Sequence, residues 1–241
     1  MDCRRARSLR LEIQPEVTTT NITLGSGKDT FEGYIVKPGD GRVKAVTILL
    51  PDVKGILGKG SRAFAVRLSS RSRYAVVVPD LFRGNPFRQE AATATLEDFM
   101  KWLVGHPANR VAGDIDTTIS YAAQTYGKLP LGILGFCFGG GKVMSTLGRD
   151  RGANIKAGVS FYGTPLNVTD AVNIRAPILM ILGGNDSFVD PEPYYEAKEL
   201  MDSVPSPVPS KIIVYQNSPH AFAHEIQREH LIVFLVHRES T

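Results

Sequence analysis

Cysteine is almost absent from this sequence: Cys3 and Cys137 are the only two in 241 residues. Two cysteines make no disulfide framework, and a reducing intracellular compartment is the default for such a chain. The sequons at 21 and 167 then carry no meaning. Long apolar runs are also missing. The longest, LIVFLV at 231–236, is far short of the ~20 residues that span a bilayer. Charge of one sign is missing from the body of the chain. Of the formal +4, the first ten residues supply +3, through Arg4, Arg5, Arg7 and Arg10 against Asp2. A nucleic-acid binder spreads a basic face over its folded domain, so that class is excluded. The arginine-rich start has no apolar segment behind it and reads as a disordered tail over residues 1–20 rather than a secretory signal. The remnant of a transit peptide is the alternative. The expected location is cytoplasmic, with an organelle such as the plastid left open by that start. Repeats, low-complexity blocks and linkers are absent too, which leaves one domain over residues 21–241.

What is present is alternation. FEGYIVK (31–37) and KAVTILL (44–50) read as strands, SRAFAVRLSS (61–70) as a short helix capped by Ser61, and YAVVVPD (74–80) as a buried strand. Residues 94–105 and 111–127 have helical spacing. A strand follows at 131–136 and a helix at 139–148. Strands are expected at 156–163, 176–184 and 211–216, with a helix over 191–202 opened by Pro191. Continuous apolar strands alternating with helices mean a mostly parallel central sheet with helices on both faces, an α/β fold.

The stretch GILGFCFGGGKV at 132–143 holds one of the two cysteines within the densest glycine cluster of the chain. A phosphate loop needs a glycine where Phe136 stands and a Ser or Thr where Val143 stands. A dinucleotide fingerprint fails at Met144. A metal clip fails because Cys137 has no second Cys or His nearby in sequence. The pattern that fits is a strand, a sharp G-x-nucleophile-x-G turn and a helix, here Gly135-Phe136-Cys137-Phe138-Gly139. On the pentapeptide alone, a buried structural cysteine at a tight turn is the other reading. Its partners decide. An acid is expected on the loop after a later strand and a histidine after the last one. Asp186, in ILGGNDSFVD, meets the first condition, while Asp190 looks like the cap of the helix at Pro191. His220, in YQNSPHAF, meets the second. His106 comes in the wrong order, and His230 and His237 lie farther down the C-terminal segment.

With these residues assembled, the chain resembles the dienelactone hydrolase (carboxymethylenebutenolidase) family from about Phe31 to Phe222. The resemblance rests on LLPDVKGILG, VVVPDLFRGNP, GFCFGGG, GVSFYG, GGNDSFV and PHAF, and looks most like plant and algal members. It implies an α/β-hydrolase fold and a triad on Cys137, His220 and Asp186. It also implies an oxyanion hole from the backbone N–H groups of Phe138 and Val53. Asp52 holds the place of an acid that tunes the thiol, a glutamate in bacterial members. Family substrates often carry a carboxylate held by arginines. One such position is His224 here, and Arg83 and Arg88 are candidates for the other.

The expected function is hydrolysis of a small ester or lactone through a cysteinyl thioester. No metal or organic cofactor and no nucleic-acid or membrane partner is expected, and the chain is expected as a monomer or weak homodimer. The alternative is a non-catalytic binding protein that keeps the pocket. A glutamine amidotransferase is rejected, because Phe222 stands two residues after His220 where those enzymes place a glutamate. The segment 225–241 is expected to form a short helix packed on the sheet.

Overall fold

The structure is a computed structural model, which describes residues 16–88 and 95–225. Eight strands form one sheet in the order β1-β2-β4-β3-β5-β6-β7-β8. They are β1 (Val17–Leu24), β2 (Phe31–Pro38), β3 (Ala45–Leu50), β4 (Tyr74–Pro79), β5 (Leu131–Phe136), β6 (Ile155–Phe161), β7 (Ile178–Gly183) and β8 (Ser210–Tyr215). β1 pairs antiparallel with β2, and β2 antiparallel with β4; every later pair is parallel. The helices are α1 (Lys59–Ser72), α2 (Leu96–Val104), α3 (Ala108–Tyr126), α4 (Phe138–Asp150) and α5 (Glu192–Ser203).

The strands are apolar on both sides because both sides are covered. Successive side chains alternate faces. In β3 and β4, Val46, Ile48, Leu50, Ala75 and Val77 enter one core with Val111 and Ile115 of α3, Val143 and Leu147 of α4, and Tyr194 and Met201 of α5. Leu49, Val76 and Val78 enter the other, beneath α1, with Phe136, Tyr162 and Phe222. Each such Val, Leu or Ile contributes about 1.5–3 kcal/mol when fully buried, so the sheet is a rigid platform for the loops at its edge.

Two details depart from the sequence reading. Strand β1 begins at Val17, inside the stretch 1–20 expected as tail. Its VTTTNITL faces solvent along most of its length, so it lacks the apolar signal that marks the inner strands. Ser61 does not cap α1. The helix starts at Lys59 behind Gly58, and Ser61 is buried with no hydrogen-bond partner for its hydroxyl among the described residues. The helix expected within 225–241 lies outside the described residues. Asp190 Oδ1 accepts the Glu192 N–H at 3.1 Å where α5 begins, one position outside the cap residue itself, which is Pro191.

Candidate active site

The turn from β5 into α4 explains the glycine cluster. A Cβ on Gly135 would lie 2.3 Å from the Gly139 carbonyl oxygen, and one on Gly139 would lie 2.2 Å from that of Leu50. Strand and helix approach so closely that only hydrogen fits. At the tip Cys137 has φ 50° and ψ −117°, a conformation that costs a non-glycine residue about 1–3 kcal/mol. Backbone hydrogen bonds hold it there. Its N–H donates to Phe161 O at 3.1 Å, and its carbonyl accepts from Gly141 and Thr164, both at 3.0 Å. A methyl group at Gly139 has backbone in its way. Gly139→Ala is therefore expected to destabilise the fold by about 3 kcal/mol, a fall in Tm of roughly 6–12 °C. An unchanged melting curve would contradict this packing.

The parallel strands deliver the other candidates to the same edge. Asp52 and Val53 follow β3, Cys137 and Phe138 follow β5, Asp186 follows β7 and His220 follows β8. The last two loops are tied together, since Gly184 N–H donates to Tyr215 O at 2.8 Å and Asn185 N–H to Ser218 O at 3.1 Å.

The Asp186 side chain is 1% exposed and takes a hydrogen bond on each oxygen. The Phe188 N–H reaches Oδ1 at 2.8 Å. His220 Nδ1 lies 2.8 Å from Oδ2. Facing a carboxylate, Nδ1 carries the proton, which leaves Nε2 with its lone pair free to act as a base. His220 is 18% exposed, and its ring contacts Tyr162 and Phe188 at centroid distances of 5.1 and 5.3 Å.

Burial pushes the Cys137 thiol up to about 12, and the negative charge of Asp52 adds to this; the Phe138 N–H opposes both. The resting group is thus a neutral thiol. Among the described residues no hydrogen bond joins it to His220. Phe138 opens α4, and its N–H is one of the helix donors without an intrahelical acceptor. No hydrogen bond of the Val53 N–H occurs among the described residues.

Asp52 is tied to His224. Asp52 Oδ1 accepts the Lys54 N–H at 2.9 Å, and Oδ2 lies 2.6 Å from His224 Nε2. His224 Nδ1 lies 2.7 Å from the Tyr162 hydroxyl. This corrects the sequence reading of His224 as a substrate-carboxylate group: the residue is 1% exposed, and both ring nitrogens are occupied by protein partners. Arg83 is exposed on the loop after β4. Its guanidinium grips Asp114 of α3 at 2.7 and 3.3 Å, and Arg110 holds the same carboxylate at 2.7 Å. It is a clamp between the β4 loop and α3. Arg88 donates to Gly84 O at 3.2 Å and is exposed.

Tyr162 was missed by the sequence reading. GVSFYG is an apolar strand end, and nothing in its spacing marks the tyrosine as polar machinery. Asp52, His224 and Glu225 bring three possible metal-ligand atoms within 4.8 Å of one another, although Asp52 and His224 already occupy each other's.

A model described as the dienelactone hydrolase family matches residues 31–234. A carboxymethylenebutenolidase homolog of Xenopus tropicalis is 29% identical over 195 residues, 80% of this chain and 76% of that protein. The homolog of Mus musculus is 30% identical over 160 residues, 66% of this chain and 62% of its own length. A putative carboxymethylenebutenolidase of Salmonella typhimurium is 27% identical over 216 residues, 83% of this chain and 76% of that protein. These relatives are animal and bacterial and give no support to the expected plant and algal affinity. Among solved structures, a putative dienelactone hydrolase from Klebsiella pneumoniae superposes with a TM-score of 0.74 at 20% identity, over 94% of this chain and all of that one. The dienelactone hydrolase from Anabaena variabilis gives 0.62 at 19%, over 94% and 96%. They share the α/β-hydrolase fold. Among the described residues no helix is long and apolar enough to cross a membrane.

Proposed function

The chain belongs to the dienelactone hydrolase family, and from that premise we propose that it hydrolyses small esters or lactones through a thioester on Cys137. The observation that carries the reading is the pairing of two devices on one sheet edge. One is a cysteine held at positive φ on a strand-to-helix turn. The other is a histidine 2.8 Å from a buried carboxylate.

The thiol is neutral at rest, so proton removal is part of the reaction. Because no hydrogen bond joins it to His220, the thiol first turns about its Cα–Cβ bond toward the imidazole. His220 Nε2 takes the proton as sulfur attacks the acyl carbon. Asp186 holds the ring in the working tautomer and stabilises the imidazolium. The N–H groups of Phe138 and Val53 are assigned to the oxyanion, where one well-placed donor contributes about 3–4 kcal/mol. The carbon–oxygen bond then breaks. His220 returns the proton to the departing alkoxide, and a water, deprotonated by the same histidine, cleaves the thioester and restores the thiol.

The substrate class follows from what surrounds the site. Arg83 is engaged by Asp114 and His224 by Asp52, while Phe188 stands 66% exposed beside His220. We assign a preference for neutral, apolar or aryl acyl groups over free carboxylates. Arg88 is the remaining candidate for holding an anion. A panel of aryl esters, neutral lactones and carboxylate-bearing lactones tests this. Higher kcat/KM for the neutral members supports it, and a preference for the anionic ones would reverse it.

Asp52 is assigned to tuning the thiol. Asp52→Asn removes the neighbouring charge and leaves the burial, so the thiol pKa falls part of the way. Iodoacetamide labelling of Cys137 at pH 8 is expected to accelerate about tenfold, which corresponds to one pKa unit. An unchanged rate–pH profile would mean that Asp52 does not act on the sulfur.

A further inference from the structure

A second histidine, His224, is bonded to Asp52, and its hydrogen bonds fix their own protons. The Ala223 N–H approaches the Tyr162 hydroxyl oxygen at 3.3 Å and can only donate. The phenol has one proton, and its other neighbour is His224 Nδ1 at 2.7 Å. If Nδ1 carried hydrogen, the phenolic proton would have no acceptor among the described residues in a buried site, a costly arrangement. Nδ1 is therefore the acceptor and Nε2 carries the ring proton, which it gives to Asp52 Oδ2 at 2.6 Å. The Lys54 N–H fills Oδ1 at 2.9 Å. The same count excludes an imidazolium and excludes a protonated Asp52 that donates to the ring. Burial raises the Tyr162 phenol far above its ordinary value, so it remains a donor.

Packing fixes the ring as firmly as the protons do. His224 stacks on Phe136 with centroids 4.4 Å apart and 16° between planes. A Cβ on Gly60 of α1 would come within 2.9 Å of His224 Cδ2. Phe136 is the residue before the nucleophile, and His224 leaves the same short turn as His220. Tyr162 lies between the two, bonded to one ring and 5.1 Å from the other.

We propose that His224 and Tyr162 are positioning residues for the nucleophile: a one-way relay, Ala223 N–H to Tyr162 O–H to His224 N–H, that holds Asp52 as a carboxylate beside Cys137. The role of the sulfur rests on the hydrolytic reading above; the relay itself does not. The charged groups acting on the thiol are Asp52, Asp186 and Glu225, and of these only Asp52 receives the relay. Without the His224 donor, the Asp52 carboxylate is held, among the described residues, by the Lys54 N–H alone. It is then free to turn away from the thiol whose ionisation it opposes.

Two measurements on the full chain test this, and neither requires an ester. Long-range proton–nitrogen NMR of histidine-labelled wild type at pH 8, with His224 assigned by its loss in His224→Gln, is expected to show the Nε2–H tautomer. An Nδ1–H ring overturns the relay. Labelling of Cys137 by iodoacetamide gives the second readout. His224→Gln, whose amide can donate to Asp52, is expected to keep the wild-type profile, whereas His224→Phe is expected to label several-fold faster at pH 7–8. A folded His224→Phe variant with the wild-type profile overturns the proposal. If that variant does not fold, the NMR result decides alone. A wild-type chain that shows the tautomer and the labelling profile but turns over no ester counts against the hydrolytic reading only.

Discussion

Cys137→Ala is expected to remove ester hydrolysis, with kcat falling by about 10⁵-fold or more, because loss of a nucleophile removes the covalent path rather than one contact. Cys3→Ala is the control and is expected to leave the rate unchanged. The side chain lost is small and sits at a turn defined by Gly135, Gly139 and backbone hydrogen bonds. The variant is therefore expected to fold, and circular dichroism separates loss of chemistry from loss of structure. A folded Cys137→Ala protein with wild-type turnover would end the thioester mechanism.

The second large effect concerns the pair behind the proton transfer. His220→Ala is expected to cost several orders of magnitude in kcat. Asp186→Asn is expected to cost about 10⁴-fold with the fold intact, because an amide no longer selects the Nδ1–H tautomer. The Phe188 N–H still has the amide oxygen to donate to, so the loop keeps its shape. The paired control is Asp190→Asn. Asp190 accepts the Glu192 N–H at the start of α5, a contact that an asparagine oxygen can replace, so its kcat is expected within about twofold of wild type. If Asp190→Asn were the damaging change and Asp186→Asn harmless, the acid would be misassigned.

The legibility of the site followed from how local each device is. The elbow is written in five consecutive residues, since glycines 135 and 139 are demanded by backbone contacts that no side chain tolerates. Asp186 and His220 were legible because each sits just past a strand with a strong apolar signal, and chain order then separates them from Asp190 and His106. The inner strands were legible for the same reason. β1 was not, because an edge strand with one solvated face shows threonine rather than Val, Ile and Leu. The role of His224 was also hidden. Its partner Asp52 is 172 residues away and Tyr162 is 62 away, and no local pattern announces either. Arg83 looked like a free cation in PDLFRG until the fold brought Asp114 of α3 against it. Sequence position gave these two residues a plausible orientation toward substrate, and tertiary partners gave them another.

One measurement tests the thioester at Cys137 most directly: intact-protein and peptide mass spectrometry of wild type, acid-quenched during turnover of a slowly deacylating aryl ester. The chain is expected to gain the mass of one acyl group, located on the peptide that contains Cys137, labile to hydroxylamine and absent from Cys137→Ala. Turnover at the same rate with no acyl adduct, or with the acyl group on another residue, would contradict it.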